Sequence, residues 1–146
     1  MNRFFFIFIS AILFNISAKA QCWSKIASSE GHTLAIKADG SLWAWGVKFY
    51  NRVGKGNMVN SPVPVIIEKD TDWTDIAAGF TVSMALRSDG SLWTWGENFS
   101  GQLGNGTTTR SIVPQMLAGN NWSKIDAGPE HCLAVKTDGT LWAWGL

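Results

Sequence analysis

The sequence is short of the residues that build disulfide scaffolds and most catalytic centres. Two cysteines, Cys22 and Cys132, occur in 146 residues. That is too few for a disulfide framework or a four-thiolate zinc site, and whether the two pair with each other is left open by the sequence. There are two histidines and one tyrosine. Charge is also sparse, at 16% of residues. Setting aside Arg3 and Lys19 in the leader, the twelve Lys and Arg fall to ten against eleven Asp and Glu. A net charge near −1 without a basic cluster excludes a nucleic-acid binder that works by phosphate neutralisation. No helical hydrophobic period appears after the leader, yet 46% of residues are apolar, so the chain is globular rather than disordered. What is abundant is tryptophan, nine residues, together with fifteen glycines.

The leader reads as an export signal. Met1-Asn2-Arg3 is a short basic start, Phe4 to Ile16 is nearly all apolar, and Ser17-Ala18-Lys19-Ala20 ends in the small-x-small form that a signal peptidase cuts. Thirteen helical residues at ~1.5 Å each span roughly 20 Å, short of the ~30 Å hydrocarbon core. The expectation is a signal peptide over 1–20, a mature chain over 21–146, no membrane span after cleavage, and a secreted, periplasmic or cell-surface location.

All nine tryptophans belong to one pattern used three times. Trp23, Trp43 and Trp45 recur as Trp73, Trp93 and Trp95 and again as Trp122, Trp142 and Trp144, at offsets of 50 and 49 residues. The matched stretches read WSKIASSEGHTLAIKADGSLWAWG, WTDIAAGFTVSMALRSDGSLWTWG and WSKIDAGPEHCLAVKTDGTLWAWG. The connectors repeat as well, Phe49, Gly54, Gly56, Ser61, Val63 and Pro64 pairing with Phe99, Gly104, Gly106, Ser111, Val113 and Pro114. A period of this length signals an array of supersecondary units.

Each unit predicts four short strands. Val82, Met84 and Leu86 alternate onto one face, Asp89-Gly90 marks a tight reversal, and Leu92 to Trp95 returns. Trp73 to Ala77 precedes this hairpin and Val113 to Leu117 follows it, with Pro114 placing that last strand at an edge. The pattern predicts an all-β chain of propeller blades, each of four antiparallel strands.

The order of a His near a strand start, then DG-(S/T)-L-W-x-W-G, then ENFSGQLGNGT and a proline, resembles the regulator of chromosome condensation repeat. The resemblance runs from Trp23 to Leu146 and implies one blade per repeat in a ring of about seven blades. Repeats start at 23, 73 and 122, so about two and a half are present and the chain is expected to be a fragment of a longer, secreted bacterial-type protein. Connector one, VKFYNRVGKGN, departs from ENFSGQLGNGT, and Val82 stands where His32 and His131 stand in the other units.

Chemistry that occurs once is hard to find here. The paired tryptophans are expected to pack blade on blade as structural residues (Trp43, Trp45, Trp93, Trp95, Trp142, Trp144) rather than to stack on sugars. Each histidine is expected to start a strand and bond to a neighbouring backbone or loop. His131 and Cys132 point to opposite strand faces, so no Cys–His dyad forms. Asp39-Gly40, Asp89-Gly90 and Asp138-Gly139 read as hairpin turns, since a calcium loop needs several alternating oxygens. The glycine-rich connector lacks the Lys-Ser/Thr and helix of a phosphate loop. No catalytic residue, cofactor or metal site is assigned, and the chain is not expected to be an enzyme.

Function is expected where units differ. Strand polarity puts the Asp-Gly turns on one propeller face and the joints and connectors on the other. The turns are alike while the joints differ, and the candidate residues on the joint and connector face are Glu30, Phe49, Tyr50, Phe80, Thr81, Asn98, Phe99, Pro129 and Glu130. Loops freed from the blade's packing rule and held by a rigid scaffold are where recognition is encoded. The reading is a non-catalytic protein–protein interaction module with an unknown protein partner and no nucleic acid. The alternative is a carbohydrate-binding or carbohydrate-processing propeller.

Overall fold

The structure, a computed structural model, describes residues 22–47, 49–56 and 60–146. The signal peptide expected over 1–20 lies outside the described residues. Eleven strands among the described residues form three antiparallel sheets. The first blade is β1 (Trp23–Ser29), β2 (His32–Lys37), β3 (Leu42–Gly46) and β4 (Ser61–Glu68), paired in that order. The second is β5 (Trp73–Ala78), β6 (Val82–Arg87), β7 (Leu92–Gly96) and β8 (Ser111–Met116). The third has β9 (Trp122–Ala127), β10 (His131–Lys136) and β11 (Leu141–Gly145). The fold is the partial propeller that the repeat predicts. Pro62, Pro64 and Pro114 all fall on β4 or β8, the outer strands, where a missing N–H costs no ladder bond.

The Asp-Gly reversals are built by their own side chains. Asp89 Oδ1 accepts the Ser91 amide at 2.9 Å, and Gly90 sits at φ 78°. Asp39 and Asp138 repeat this, each also accepting the hydroxyl of Ser41 or Thr140 at 2.6 Å. These bonds, the hydroxyl of residue 41, 91 or 140 foremost, hold all three carboxyls below their ordinary range. Gly90 is needed for space as well as for φ, because a Cβ there would collide with the carbonyl oxygen of Asn120 on the way into the third blade.

The core lies between blades rather than within them. Leu34, Ile36, Leu42 and Ala44 of the first blade meet Trp73, Ile76, Ala85 and Trp95 of the second. Val82, Met84, Leu86 and Leu92 of the second meet Trp122, Cys132 and Ala134 of the third in the same way. Each blade therefore has a leading aliphatic face and a trailing tryptophan face. The trailing face of the first blade is open among the described residues: Trp23, Ile26, Trp45 and Pro64 line a hollow of about 340 Å³, and Ile26 is 69% exposed. Leu141, in the third blade, is 67% exposed.

Two consequences are measurable. Gly90→Ala and Gly101→Ala both place a Cβ at positive φ, worth roughly 1 kcal/mol each, but nothing lies within 4 Å of the second. Gly90→Ala should therefore lower the urea midpoint clearly more than Gly101→Ala; equal midpoints would refute the packed turn. The exposed apolar faces should also make the chain self-associate with rising concentration in sedimentation velocity. Ile26→Glu combined with Leu141→Glu should reduce that association, and an unchanged profile would place it elsewhere.

Candidate functional site

The joint face is assembled around one carbonyl. Arg52, in the first connector, is 4% exposed, and its carbonyl oxygen accepts both Trp95 Nε1 and Ser83 Oγ at 2.8 Å. Both donors come from the second blade. The Ser83 hydroxyl has one proton and gives it to Arg52, so in its 2.8 Å contact with His32 it is the acceptor and His32 Nε2 donates. His32 thus starts β2 as expected, but its partner is a side chain of the next blade rather than backbone or loop. The ring is 2% exposed with Nδ1 unpartnered. Burial, with the Arg52 charge second, pulls its pKa down to about 3, so the ring is neutral. At the second junction Gln102 replaces Arg52, and its carbonyl accepts Trp144 Nε1 at 2.8 Å and Cys132 Sγ at 3.3 Å. Burial, with Asp126 contributing, pushes the Cys132 thiol up to about 12, and it carries no disulfide.

Around this latch the two strongest departures from the repeat come together. In the first connector Tyr50 and Asn51 both hold positive φ, 65° and 58°; of their counterparts in the second, Ser100 and Gly101, only Gly101 does. A left-handed tyrosine costs roughly 1–3 kcal/mol, which the surrounding contacts must over-determine. Those contacts are aromatic. Tyr50 lies 6.2 Å from Phe49 and 5.4 Å from Phe80, ring centre to ring centre. The Arg52 guanidinium sits 5.5 Å from the Tyr50 ring and 5.3 Å from the Phe80 ring, and Nη1 donates to the Phe80 carbonyl. Beside Phe80 is a hollow of about 270 Å³ where three joints converge, Ser29–Glu30, Gly79–Phe80 and Ala127–Pro129.

Of the nine loop residues expected to present themselves, Glu30, Phe49, Tyr50, Phe80 and Pro129 are gathered here. Glu130 is half-buried next to Pro129, its carbonyl occupied by the Leu146 amide at 3.0 Å. Phe99 is 75% exposed on the second connector, the counterpart of Phe49. Two expectations are corrected. Thr81 is buried, its hydroxyl donating to the Pro129 carbonyl at 3.1 Å, so it locks one joint to the next. Asn98 is fully buried and folds the connector instead: Nδ2 donates to the carbonyls of Thr107 and Thr109 at 2.9 and 3.0 Å, and Oδ1 accepts the Leu103 amide at 2.8 Å. Neither side chain is presented at the surface.

The tryptophans divide their labour in a way the sequence left unseen. Trp95 and Trp144 bridge blades through the carbonyls described above. Trp43, Trp93 and Trp142 instead form a sandwich within the blade. Arg87 lies 4.4 Å from the Trp73 ring and 4.7 Å from Trp93; Lys37 and Lys136 lie 3.6 and 4.1 Å from Trp43 and Trp142. Trp43 Nε1 then donates to Ser41 Oγ at 2.8 Å, which donates to Asp39. The cations take up ring faces on which a sugar would stack. The signal was a basic residue two positions before each Asp-Gly pair. Among the described residues no group of three His, Cys, Asp or Glu is placed to hold a metal, and no helix is long and apolar enough to cross a membrane.

The sequence profile of the Regulator of chromosome condensation (RCC1) repeat matches residues 39–86 and 89–135, and a second RCC1 repeat profile matches 23–54 and 73–102. Among solved structures, human WBSCR16 aligns at TM-score 0.75 and 22% identity over 84% of this chain and 33% of its own. Prp20p from Saccharomyces cerevisiae, studied for its binding to Gsp1p and histones, aligns at TM-score 0.69 and 24% identity over 83% of this chain and 32% of its own. The ectodomain of the Arabidopsis thaliana receptor kinase ACR4 aligns at TM-score 0.54 and 17% identity, over 90% and 40%. The chain thus spans about a third of the length of the first two structures.

His32 makes the first junction sensitive to acid. Its folded pKa, about 3, lies below the ordinary 6.5, so the unfolded chain binds more protons between those values. Stability from this site is complete above about pH 6.5 and is lost as pH falls toward 3, at up to about 1.4 kcal/mol per pH unit. His32→Val, which copies Val82, should flatten urea midpoints measured between pH 6.5 and 4. A parallel loss in both proteins would mean that His32 is not held neutral.

Proposed function

The chain belongs to the Regulator of chromosome condensation (RCC1) repeat family, and from that membership we propose that it is a non-catalytic module that binds a partner protein through the joint face of its propeller. The observation that carries this is the meeting of Tyr50 and Phe80. Each departs from the repeat, they lie 30 residues apart in sequence, and their rings meet at a tilt around a buried guanidinium beside the joint hollow. A left-handed aromatic at this position does nothing for the blade that Ser100 does not do in the second connector. Clustered, half-exposed aromatics with an arginine are the composition of interface hot spots. That Prp20p binds Gsp1p and histones is a property of that protein, and it supports recognition by such blades in general. The basic start, apolar run and Ala-x-Ala of residues 1–20 support export, so the partner is sought outside the cytoplasm.

A photo-crosslinking amino acid placed at Phe49 should give a discrete protein adduct in cells producing the chain, whereas the same group at Ser88, next to the Asp89-Gly90 turn, should not. Phe80→Ala should remove the Phe49 adduct. Adducts equally strong from both faces would overturn the assignment.

A further inference from the structure

Resting on that reading, we infer that the joint hollow receives a lysine or arginine side chain of the partner protein. Among the described residues Glu30 is the only charged one lining the hollow; the rest are Ser29, glycines, Ala127, Pro129 and the ring of Phe80. Such walls offer apolar surface and one carboxylate. That combination suits a long aliphatic stem ending in a cation, which lays its methylenes on apolar surface while its head meets charge. Phe80 adds a ring face or edge within the same hollow.

The charge is available for this purpose. Glu30 is exposed, and no ion pair within 4 Å holds it among the described residues. Arg52 is the nearby cation: burial lowers its pKa, with Tyr50 and Glu30 opposing that, but Arg52 is itself buried, its Nη1 is given to the Phe80 carbonyl, and it does not line the hollow. An acidic side chain entering here would face the like charge of Glu30, and a purely apolar one would cover Glu30 without a partner, an unfavourable desolvation.

The other blades do not offer the same chemistry. The counterparts of Glu30 are Phe80 and Pro129. One joint thus supplies the charge, the next the ring and the third the rigid proline, so the specificity belongs to the three-blade set.

The test is selection from a random-peptide phage library on the immobilised full chain, with each clone re-measured on Phe80→Ala and Glu30→Gln. Glu30 is exposed and Phe80 partly so, and unchanged tryptophan emission verifies that both variants fold. Clones whose binding depends on Phe80 should carry Lys or Arg, weaken about five- to tenfold on Glu30→Gln, and weaken again when salt is raised. Phe80-dependent clones that lack a basic residue, or that ignore Glu30→Gln, would overturn this inference while leaving the joint-face reading intact. Clones indifferent to Phe80→Ala, or no clones, would overturn both.

Discussion

The structure depends on a single backbone oxygen per junction. The carbonyl of Arg52 takes an indole N–H and a hydroxyl from the next blade, and that of Gln102 takes an indole N–H and a thiol. These carbonyls lie on connectors, outside any strand ladder, so the next blade that packs over them must also supply their donors. The tryptophan has the matching problem. Trp95 is fully buried, and its N–H needs a partner that its own sheet does not supply. Each blade therefore satisfies its neighbour, and the connector's many positive-φ glycines serve to bring one carbonyl to one place.

Once that geometry is set, the positions around it change in pairs. At the first junction Gly31 leaves room for the Arg52 guanidinium, with which a Cβ would collide, and Arg52 supplies the donor to the Phe80 carbonyl. At the second, Thr81 occupies the position of Gly31 and itself donates to the Pro129 carbonyl, while Gln102 turns its side chain to the Ser100 amide. His32 faces Ser83 where Val82 faces Cys132: a polar pair in one junction, an apolar pair in the other. Either solution closes the joint; mixing them would bury a donor with no acceptor or leave a void.

The repeat made the strand order, the Asp-Gly turns and the outer position of the proline strands legible, because each follows from local rules of alternation, φ and missing donors. It also singled out Tyr50 and Phe80 as departures. That they touch was not legible, since the contact depends on where one blade's connector lands on the next blade's joint. Thr81 and Asn98 were misjudged for a related reason. Both look like polar loop residues, yet a joint or connector folded against a neighbour has its own buried polar groups to satisfy, and short polar side chains do it. The division of the tryptophan pair into bridge and sandwich was hidden because both residues alternate to the same strand face.

The two propeller faces differ in how much of their chemistry is already spent internally. At the Asp-Gly end, aspartate, hydroxyl, indole and cation are joined in a relay that all three blades share, at Asp39, Ser41, Trp43 and Lys37 in the first. Little polar capacity is left there to distinguish one partner from another. At the joint end the shared part is confined to the buried carbonyl, and what surrounds it is free to vary without loosening the blades. Glu30, Phe80 and Pro129 occupy one repeat position in three blades, and the convergence of the joints brings them to the rim of one hollow. A repeat that keeps its packing constant at one end and varies its side chains at the other thereby turns sequence divergence between units into a single asymmetric surface.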